Sequence, residues 1–212
     1  LVEAYLLLEE TVRRLETISG IRVGYWECGL LSVALSESDA GELARQVRWQ
    51  QQAGIRLQRL EPAQVRRLEP AVDGAVRWAV WCEQAAQVDP GRLVEAYARA
   101  AELQGARLLL QTEVRRFLLE RGRVVGVEAA SGQRFYAGIT INCSGCWAGL
   151  DPALPLSIPG VPARGQMLQF ETQGPLLQRV VRSPHTYLVQ RSPHRLIAGS
   201  TVEYVGWDKT VT

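Results

Sequence analysis

The 212-residue sequence predicts an α+β fold, in which an antiparallel or mixed sheet carries helices on one face. Two observations predict it. Amphipathic stretches whose apolar residues recur three and four positions apart indicate helices in the first half of the chain. Short alternating segments separated by glycine-containing turns indicate an antiparallel β-meander over Glu113–Ala137 and a hairpin near the end of the sequence.

Each predicted helix has a recognisable beginning or end. The first ends at Gly20, because glycine readily adopts the left-handed turn that follows a helix. Ser36 or Ser38 can cap the second. The fourth begins with Asp89 as its N-cap and Pro90 at its first helical position. The predicted helices are 2–19, 39–53, the proline-bracketed segment 60–70, and 90–104.

The strands are predicted from apolar runs and alternating patterns between turn residues. The best-supported strand is Gly29–Leu35, which lies within an extended segment that begins at Val23. The C-terminal hairpin turns at Pro193, and Asp151–Pro162 is predicted to be a loop. The remaining predicted strands are 75–81, 107–111, 114–120, 124–129, 133–137, 138–141 and 163–170.

Composition and charge are those of an ordinary globular protein. Hydrophobic residues make up 47% of the sequence, charged residues 22%, and the formal net charge is +2. So small a charge gives no argument for binding to nucleic acid or to an anionic membrane. No apolar run approaches the ~18 residues that a membrane-spanning helix needs.

Two of the four cysteines form a C-x-x-C pair, Cys143 and Cys146. Such a pair can be a redox motif or half of a zinc site. A zinc site would need two more ligands, and the only histidines are His185 and His194. We favour buried thiols without a metal, as in a reducing cytoplasm, and therefore predict a cytoplasmic protein.

Three motifs carry a resemblance to a known family. They are Asn142–Gly149 with the sequence N-C-S-G-C-W-A-G, Arg164–Gln166 with the sequence R-G-Q, and the hairpin His185–Thr201. In this order and spacing they resemble the FAD-dependent D-amino-acid oxidase and glycine oxidase family, and glycine oxidase most. Gln190 departs from the pattern, because the family usually has proline there.

The resemblance implies FAD as cofactor and assigns candidate site residues. The cofactor-binding candidates are Val114, Ser144, Gly145, Cys146 and Trp147. For Val114, an ordinary role as a strand residue is an equal alternative. For the turn residues, backbone N–H groups after a strand could face the cofactor.

The substrate-binding candidates are Tyr187 and His185. A phenol can donate a hydrogen bond to a substrate carboxylate while its ring forms a wall of the pocket. His185 would share a face with Tyr187 if the segment is extended, although a neutral surface histidine is an equal alternative. Arg164 is expected to hold loop carbonyls or a carboxylate, in preference to binding an anionic ligand.

The resemblance also implies a domain organisation. Residues 1–85 and 151–212 would form two parts of a substrate domain, and 86–150 part of an FAD-binding domain with its inner meander. The family's N-terminal G-x-G-x-x-G unit and its C-terminal segment have no counterpart here, so we expect an internal fragment. Alone it should bind FAD weakly and be inactive, and strands without neighbours would favour a homo-oligomer.

The function that the resemblance implies is oxidation of a small amino acid or amine. Hydride equivalents pass from its α-carbon to FAD, and O2 reoxidises the flavin, giving imine and hydrogen peroxide. No protein general base is obligatory, so no catalytic side chain and no metal ligand are predicted. Glycine oxidases usually serve thiamine biosynthesis. The alternatives are a non-catalytic, flavin-less binding or assembly domain of the same fold, and a C-x-x-C metal or redox module.

Overall fold

The computed structural model describes residues 2–72, 74–149, 151 and 158–212, with side chains from residue 7 onward. Within these residues the chain divides into two compact units, one formed by 1–106 and 165–201 and the other by 107–164 and 202–212. We call them unit 1 and unit 2. The helices are α1 Val2–Ser19, α2 Glu37–Gln52, α3 Pro62–Leu68 and α4 Pro90–Leu103. The strands are β1 Leu30–Ala34, β2 Gln58–Leu60, β3 Trp78–Cys82, β4 Val114–Glu120, β5 Arg123–Ala129, β6 Arg134–Tyr136, β7 Met167–Glu171, β8 Val180–Arg182, β9 Tyr187–Ser192 and β10 Arg195–Gly199.

Unit 1 contains a mixed sheet, which confirms the predicted α+β class. Its described strands follow the order β2-β3-β1-β8-β9-β10-β7. The β1–β8 pair is parallel, and the other pairs are antiparallel. β9 and β10 form the predicted hairpin, with Pro193 in its turn. The apolar core of this sheet is made of Leu31, Val33, Leu60, Val65, Val76, Ala79, Leu177, Val181 and Leu196.

The helix caps explain where α2 and α4 begin. Ser36 is the N-cap of α2: its hydroxyl accepts from the Asp39 N–H, and the Asp39 carboxylate accepts from the Ser36 N–H. This capping box starts α2 at Glu37, two residues before the predicted Asp39. Asp89 caps α4 as predicted, accepting from the backbone N–H groups of Gly91 and Arg92.

Unit 2 contains the predicted meander, with β5 between β4 and β6. Across its face, Glu128 accepts hydrogen bonds from Arg116 on β4 and Arg134 on β6. These two guanidinium groups hold the pKa of Glu128 below its usual value, Arg116 contributing most. The ion pairs therefore link all three strands of the meander.

Two predicted strands, 107–111 and 138–141, are wrong. Both segments are irregular, and their apolar side chains are exposed, Leu110 by 82% and Ile139 by 81%. Among the residues that the structure describes, no strand pairs with either segment. An apolar run becomes a strand only when a neighbour takes up its backbone hydrogen bonds, and sequence pattern alone cannot supply that neighbour.

The division into units differs from the predicted segments at three places: 86–106 belongs to unit 1, whereas 151–164 and 202–212 belong to unit 2. Helix α4 belongs to unit 1, where Ala96 and Ala100 pack on Val12 and Leu15 of α1. The assignment of segments to a substrate and an FAD-binding domain stays a prediction. In the predicted loop Asp151–Pro162, positions 152–157 lie outside the described residues. None of the described helices has the length and apolar character that crossing a membrane requires.

Candidate functional site

The main candidate site is a cavity of about 870 Å³ in unit 2. It lies between the beginning of β4 and the turn after residue 141. The lining residues are Glu113, Val114, Arg115, Arg116, Phe117, Asn142, Cys143, Ser144, Gly145, Trp147, Ala148 and Asp151. Two segments some thirty residues apart in sequence (113–117 and 142–148) therefore share one concave surface.

Asn142 holds the turn in shape. Its Oδ1 accepts from the Ser144 N–H at 3.1 Å, and its Nδ2 donates to the Ala148 carbonyl at 3.0 Å. A single side chain thus bridges both ends of the short 3₁₀ turn Gly145–Trp147. Gly145 has a φ of +55°, a conformation that glycine adopts at little cost.

Asp151 joins this turn to the meander. Its Oδ2 accepts from the backbone N–H of Phe117 at 2.6 Å, so the end of the turn is attached to the middle of β4. A short hydrogen bond between a backbone N–H and a carboxylate is stronger than a neutral one. The two walls of the cavity are therefore held at a fixed spacing by a direct link between them.

The structure brings together four of the five predicted cofactor-binding residues. Val114, Ser144, Gly145 and Trp147 line the cavity, whereas the described lining does not include Cys146. The remaining lining residues were not predicted. Some of them could have been predicted from the sequence, because they are neighbours of Val114 on the same strand or of Ser144 in the same turn. The cofactor role of all five residues stays a prediction.

Both cysteines of the C-x-x-C pair are free thiols, Cys143 exposed and Cys146 partly buried. The prediction of buried thiols is therefore wrong for Cys143, because that residue lines the open cavity and is exposed to solvent. Across the described part of the chain, no group of three or more histidine, cysteine, aspartate or glutamate side chains could hold a metal ion.

The predicted substrate-binding residues lie in unit 1. Tyr187 begins β9, and its hydroxyl donates to Sδ of Met167 on β7 at 3.0 Å. His185 precedes β9 in a turn closed by the Ser183 N–H and the Thr186 carbonyl, so the segment is not extended there. The shared face of His185 and Tyr187, which required an extended segment, is therefore absent.

His185 faces Asp39 instead. Its Nε2 lies 3.5 Å from Oδ1 of Asp39, and its side chain is 80% exposed. The pKa of Asp39 is held below its usual value, chiefly by the backbone N–H of Leu35, then by the hydroxyl and N–H of Ser36, with His185 adding least. The substrate-binding roles of Tyr187 and His185 stay predictions.

Arg164 binds carboxylates, as predicted. Its guanidinium forms a two-pronged ion pair with Glu203 and a further pair with Asp208, and it donates to the Thr210 carbonyl. These partners raise the pKa of Arg164, Glu203 contributing most. The structural interpretation of this arginine, preferred from its position in the R-G-Q motif, is thus confirmed.

Gln190, the departure from the family pattern, has a structural role that sequence reasoning did not find. Its side chain is buried, and Oε1 accepts from the N–H groups of Leu176 and Leu177 at 3.0 and 3.3 Å. Its Nε2 donates to the Ser192 carbonyl at 2.7 Å. A proline could supply none of these bonds, so glutamine here attaches the loop before β8 to β9.

The fold is that of flavin-dependent oxidoreductases. The solved glycine oxidase of Geobacillus kaustophilus matches it with a TM-score of 0.86 at 29% identity, over 99% of this chain and 57% of that one. The chain belongs to the FAD dependent oxidoreductase family, whose model matches residues 2–212. FAD is thus the cofactor of the family.

Several curated proteins are similar in sequence. The glycine oxidase of Pseudomonas aeruginosa is 32% identical over 68% of this chain and 40% of its own length. The bifunctional protein ThiO/ThiG of Trichormus variabilis is 32% identical over 77% of this chain and 24% of its own length. The mitochondrial pyruvate dehydrogenase phosphatase regulatory subunit of Mus musculus is 31% identical over 69% of this chain and 17% of its own length. The chain thus spans well under half of these relatives.

The chemistry of the cavity lining fits a part of FAD. Val114, Phe117 and Trp147 offer apolar and aromatic surface to a flat ring system. Glu113 and Asn142 offer oxygen acceptors for ribose hydroxyls or amino groups. The residues that would hold this part of the cofactor are therefore Val114, Phe117, Trp147 and the turn at Ser144-Gly145.

Proposed function

We propose that the whole protein oxidises a small amino acid or amine with FAD as cofactor and O2 as final electron acceptor. The substrate would lose a hydride equivalent from its α-carbon and a proton from its nitrogen, giving an imine. FAD, when bound, supplies the two-electron acceptor, and O2 with two protons becomes hydrogen peroxide. Similarity to two glycine oxidases and membership of the family support this proposal.

One observation carries the proposal. The first meander strand and the turn after residue 141 converge on a single cavity, and four residues assigned to the cofactor line it. The Asn142 bonds and the Asp151–Phe117 bond hold that cavity in shape. A preformed concave surface with apolar walls and a few polar groups is typical of cofactor sites.

Tyr187 and His185 would act on the substrate. We propose that the Tyr187 hydroxyl donates to the substrate carboxylate, and that His185 lies at the pocket entrance. The chain would then contribute binding and orientation, without a side chain that acts as a general base. A cytoplasmic location and a place in thiamine biosynthesis are parts of the same proposal.

The cofactor part is tested by filling the cavity. In the whole protein, we expect Ser144→Tyr to weaken FAD binding about tenfold or more, because a phenol ring would occupy space that the cofactor needs. Ser131→Tyr is the matched control, because Ser131 is an exposed turn residue of the same unit, away from the cavity. Fluorescence titration with FAD measures both. Equal affinities in the two variants would refute this use of the cavity.

A second candidate function has support from one relative. The mouse protein that is 31% identical to this chain is named as a regulatory subunit. The same fold could therefore serve as a non-catalytic binding or assembly domain. The two candidates differ in a simple measurement: an oxidase releases peroxide when an amine is added, and a regulatory domain releases none with any amine tested.

A further inference from the structure

The segment Val202–Thr210 of unit 2 runs beside Arg164. Their backbones pair directly: the Arg164 N–H donates to the Glu203 carbonyl at 2.8 Å, and the Glu203 N–H donates to the Arg164 carbonyl at 2.9 Å. This backbone pairing places the Arg164 side chain beside that of Glu203. We call Val202–Thr210 the strap.

The Arg164 guanidinium binds the strap at three places. Nε and Nη2 donate to the two carboxylate oxygens of Glu203 at 3.1 and 3.3 Å. Nη1 donates to Oδ2 of Asp208 at 2.8 Å and to the Thr210 carbonyl at 3.0 Å. The arginine side chain is only 12% exposed, whereas the side chains of Glu203 and Asp208 are 34% and 48% exposed, so water still reaches the two carboxylates.

Trp207 lies on the strap between the two carboxylates that Arg164 binds. Its ring stacks on Trp147, with centroids 5.3 Å apart and planes 28° apart. Next to Asp208, Lys209 places its Nζ 5.5 Å from the centroid of the Trp147 ring. Trp147 is a wall residue of the cavity, so the strap supports that wall from outside.

We propose that Arg164 is a positioning residue, which seats Trp207 on Trp147 and so holds one wall of the FAD cavity. The guanidinium binds both ends of a six-residue stretch, Glu203–Asp208, and so holds the segment that carries Trp207 beside Trp147. The inference rests on the proposed function only where it calls the ligand of the cavity FAD.

Arginine is the side chain that this geometry requires. The planar guanidinium donates four hydrogen bonds: two to the Glu203 carboxylate, one to Asp208 and one to the Thr210 carbonyl. Lysine could neutralise Glu203 or Asp208 but could not reproduce the fork. Glutamine would remove the positive charge that now lies between the two carboxylates, so the strap would be held less firmly.

The first test reads the tryptophan pair without cofactor. Stacked indole rings give an exciton couplet in far-ultraviolet circular dichroism. We expect Arg164→Gln and Trp207→Leu each to abolish it, Arg164→Lys to restore part of it, and Trp49→Phe to leave it unchanged. Trp49 is a matched control because it is exposed on helix α2 of unit 1. An undiminished couplet in Arg164→Gln would overturn the proposal.

The second test titrates the same whole-protein variants with FAD. We expect about a three- to tenfold weaker affinity in Arg164→Gln and Trp207→Leu, a smaller loss in Arg164→Lys and none in Trp49→Phe. Variants that lose the couplet but bind FAD like the wild type would overturn the link to the cavity. A wild-type protein that binds no FAD would instead refute the proposed function, and the couplet would still decide the role of Arg164.

Discussion

The hydroxyl of Tyr187 donates to the thioether sulfur of Met167 at 3.0 Å, across the strand that separates them. Gly199 on β10 pairs with both residues, Tyr187 on one side and Met167 on the other. A side chain at Gly199 would meet both, with Cγ of Met167 at 2.7 Å and the Tyr187 oxygen at 3.3 Å. Glycine therefore permits the contact between tyrosine and methionine.

Tyr187→Phe should raise the KM for an amino-acid substrate about tenfold or more in the whole protein, with a smaller effect on kcat. A thioether is a weak acceptor, so the Tyr187 O–H could donate its hydrogen bond to a substrate carboxylate instead at little cost. Oxygen consumption against substrate concentration measures the change. Tyr97→Phe is the control, because Tyr97 is exposed on helix α4. An unchanged KM in Tyr187→Phe would remove this residue from the site.

Gln190→Ala should lower the free energy of unfolding by about 1–3 kcal/mol, because two backbone N–H groups would lose their acceptor in a buried place. Those groups belong to Leu176 and Leu177. Urea denaturation measures the loss. Gln173→Ala, exposed in the preceding loop, should change stability little. Equal stabilities of the two variants would show that the loop does not depend on Gln190.

Gly126→Ala should destabilise unit 2 by about 2–3 kcal/mol, since a methyl group there would overlap the carbonyl oxygen of Phe135 on the neighbouring strand. The overlap involves backbone, which cannot turn aside as a side chain can. Gly138→Ala is the control, because its added methyl group would meet nothing within 4 Å. Hydrogen exchange of the meander amides reports the effect, and equal protection in the two variants would contradict it.

Asp39 should make stability depend on acid pH. Its pKa is lowered in the folded protein, chiefly by the Leu35 N–H, so the carboxylate stabilises the fold above its unfolded pKa of about 3.8. That stabilisation is lost as the pH falls through the lower, folded value. The gap in Tm between wild type and Asp39→Asn should therefore narrow as the pH is lowered below about 4.

The control for this pH dependence is Glu10→Gln, which removes an exposed carboxylate from α1. We expect its Tm to follow that of the wild type at every pH. If the difference in Tm between wild type and Asp39→Asn is the same at pH 7 and below pH 4, Asp39 does not cause the pH dependence.

Local signals predicted much of the fold. The Asp89-Pro90 start of α4 and the glycine turns of the meander depend on neighbouring residues, and both were predicted correctly. The segments 107–111 and 138–141 were predicted wrongly as strands, because strands depend on distant partners. The contact of Gln190 with the loop at Leu176 was not predicted for the same reason.

The candidate site was predicted from resemblance more than from pattern. The motif at Asn142–Gly149 indicated the turn, and the structure adds that Val114 faces the same cavity. The stacking of Trp207 on Trp147 had no local signal, because sixty residues separate the two rings in the sequence. The sequence predicted only that Arg164 would bind loop carbonyls or a carboxylate, and not which segment would supply them.

The measurement that tests the central proposal most directly is the visible absorption spectrum of the purified whole protein, followed by peroxide release with glycine, sarcosine and D-alanine. The account predicts the two bands of a bound flavin, bleaching when one amine is added without oxygen, and peroxide when oxygen is readmitted. A colourless protein that stays inactive after addition of FAD would contradict it and would favour the non-catalytic binding domain.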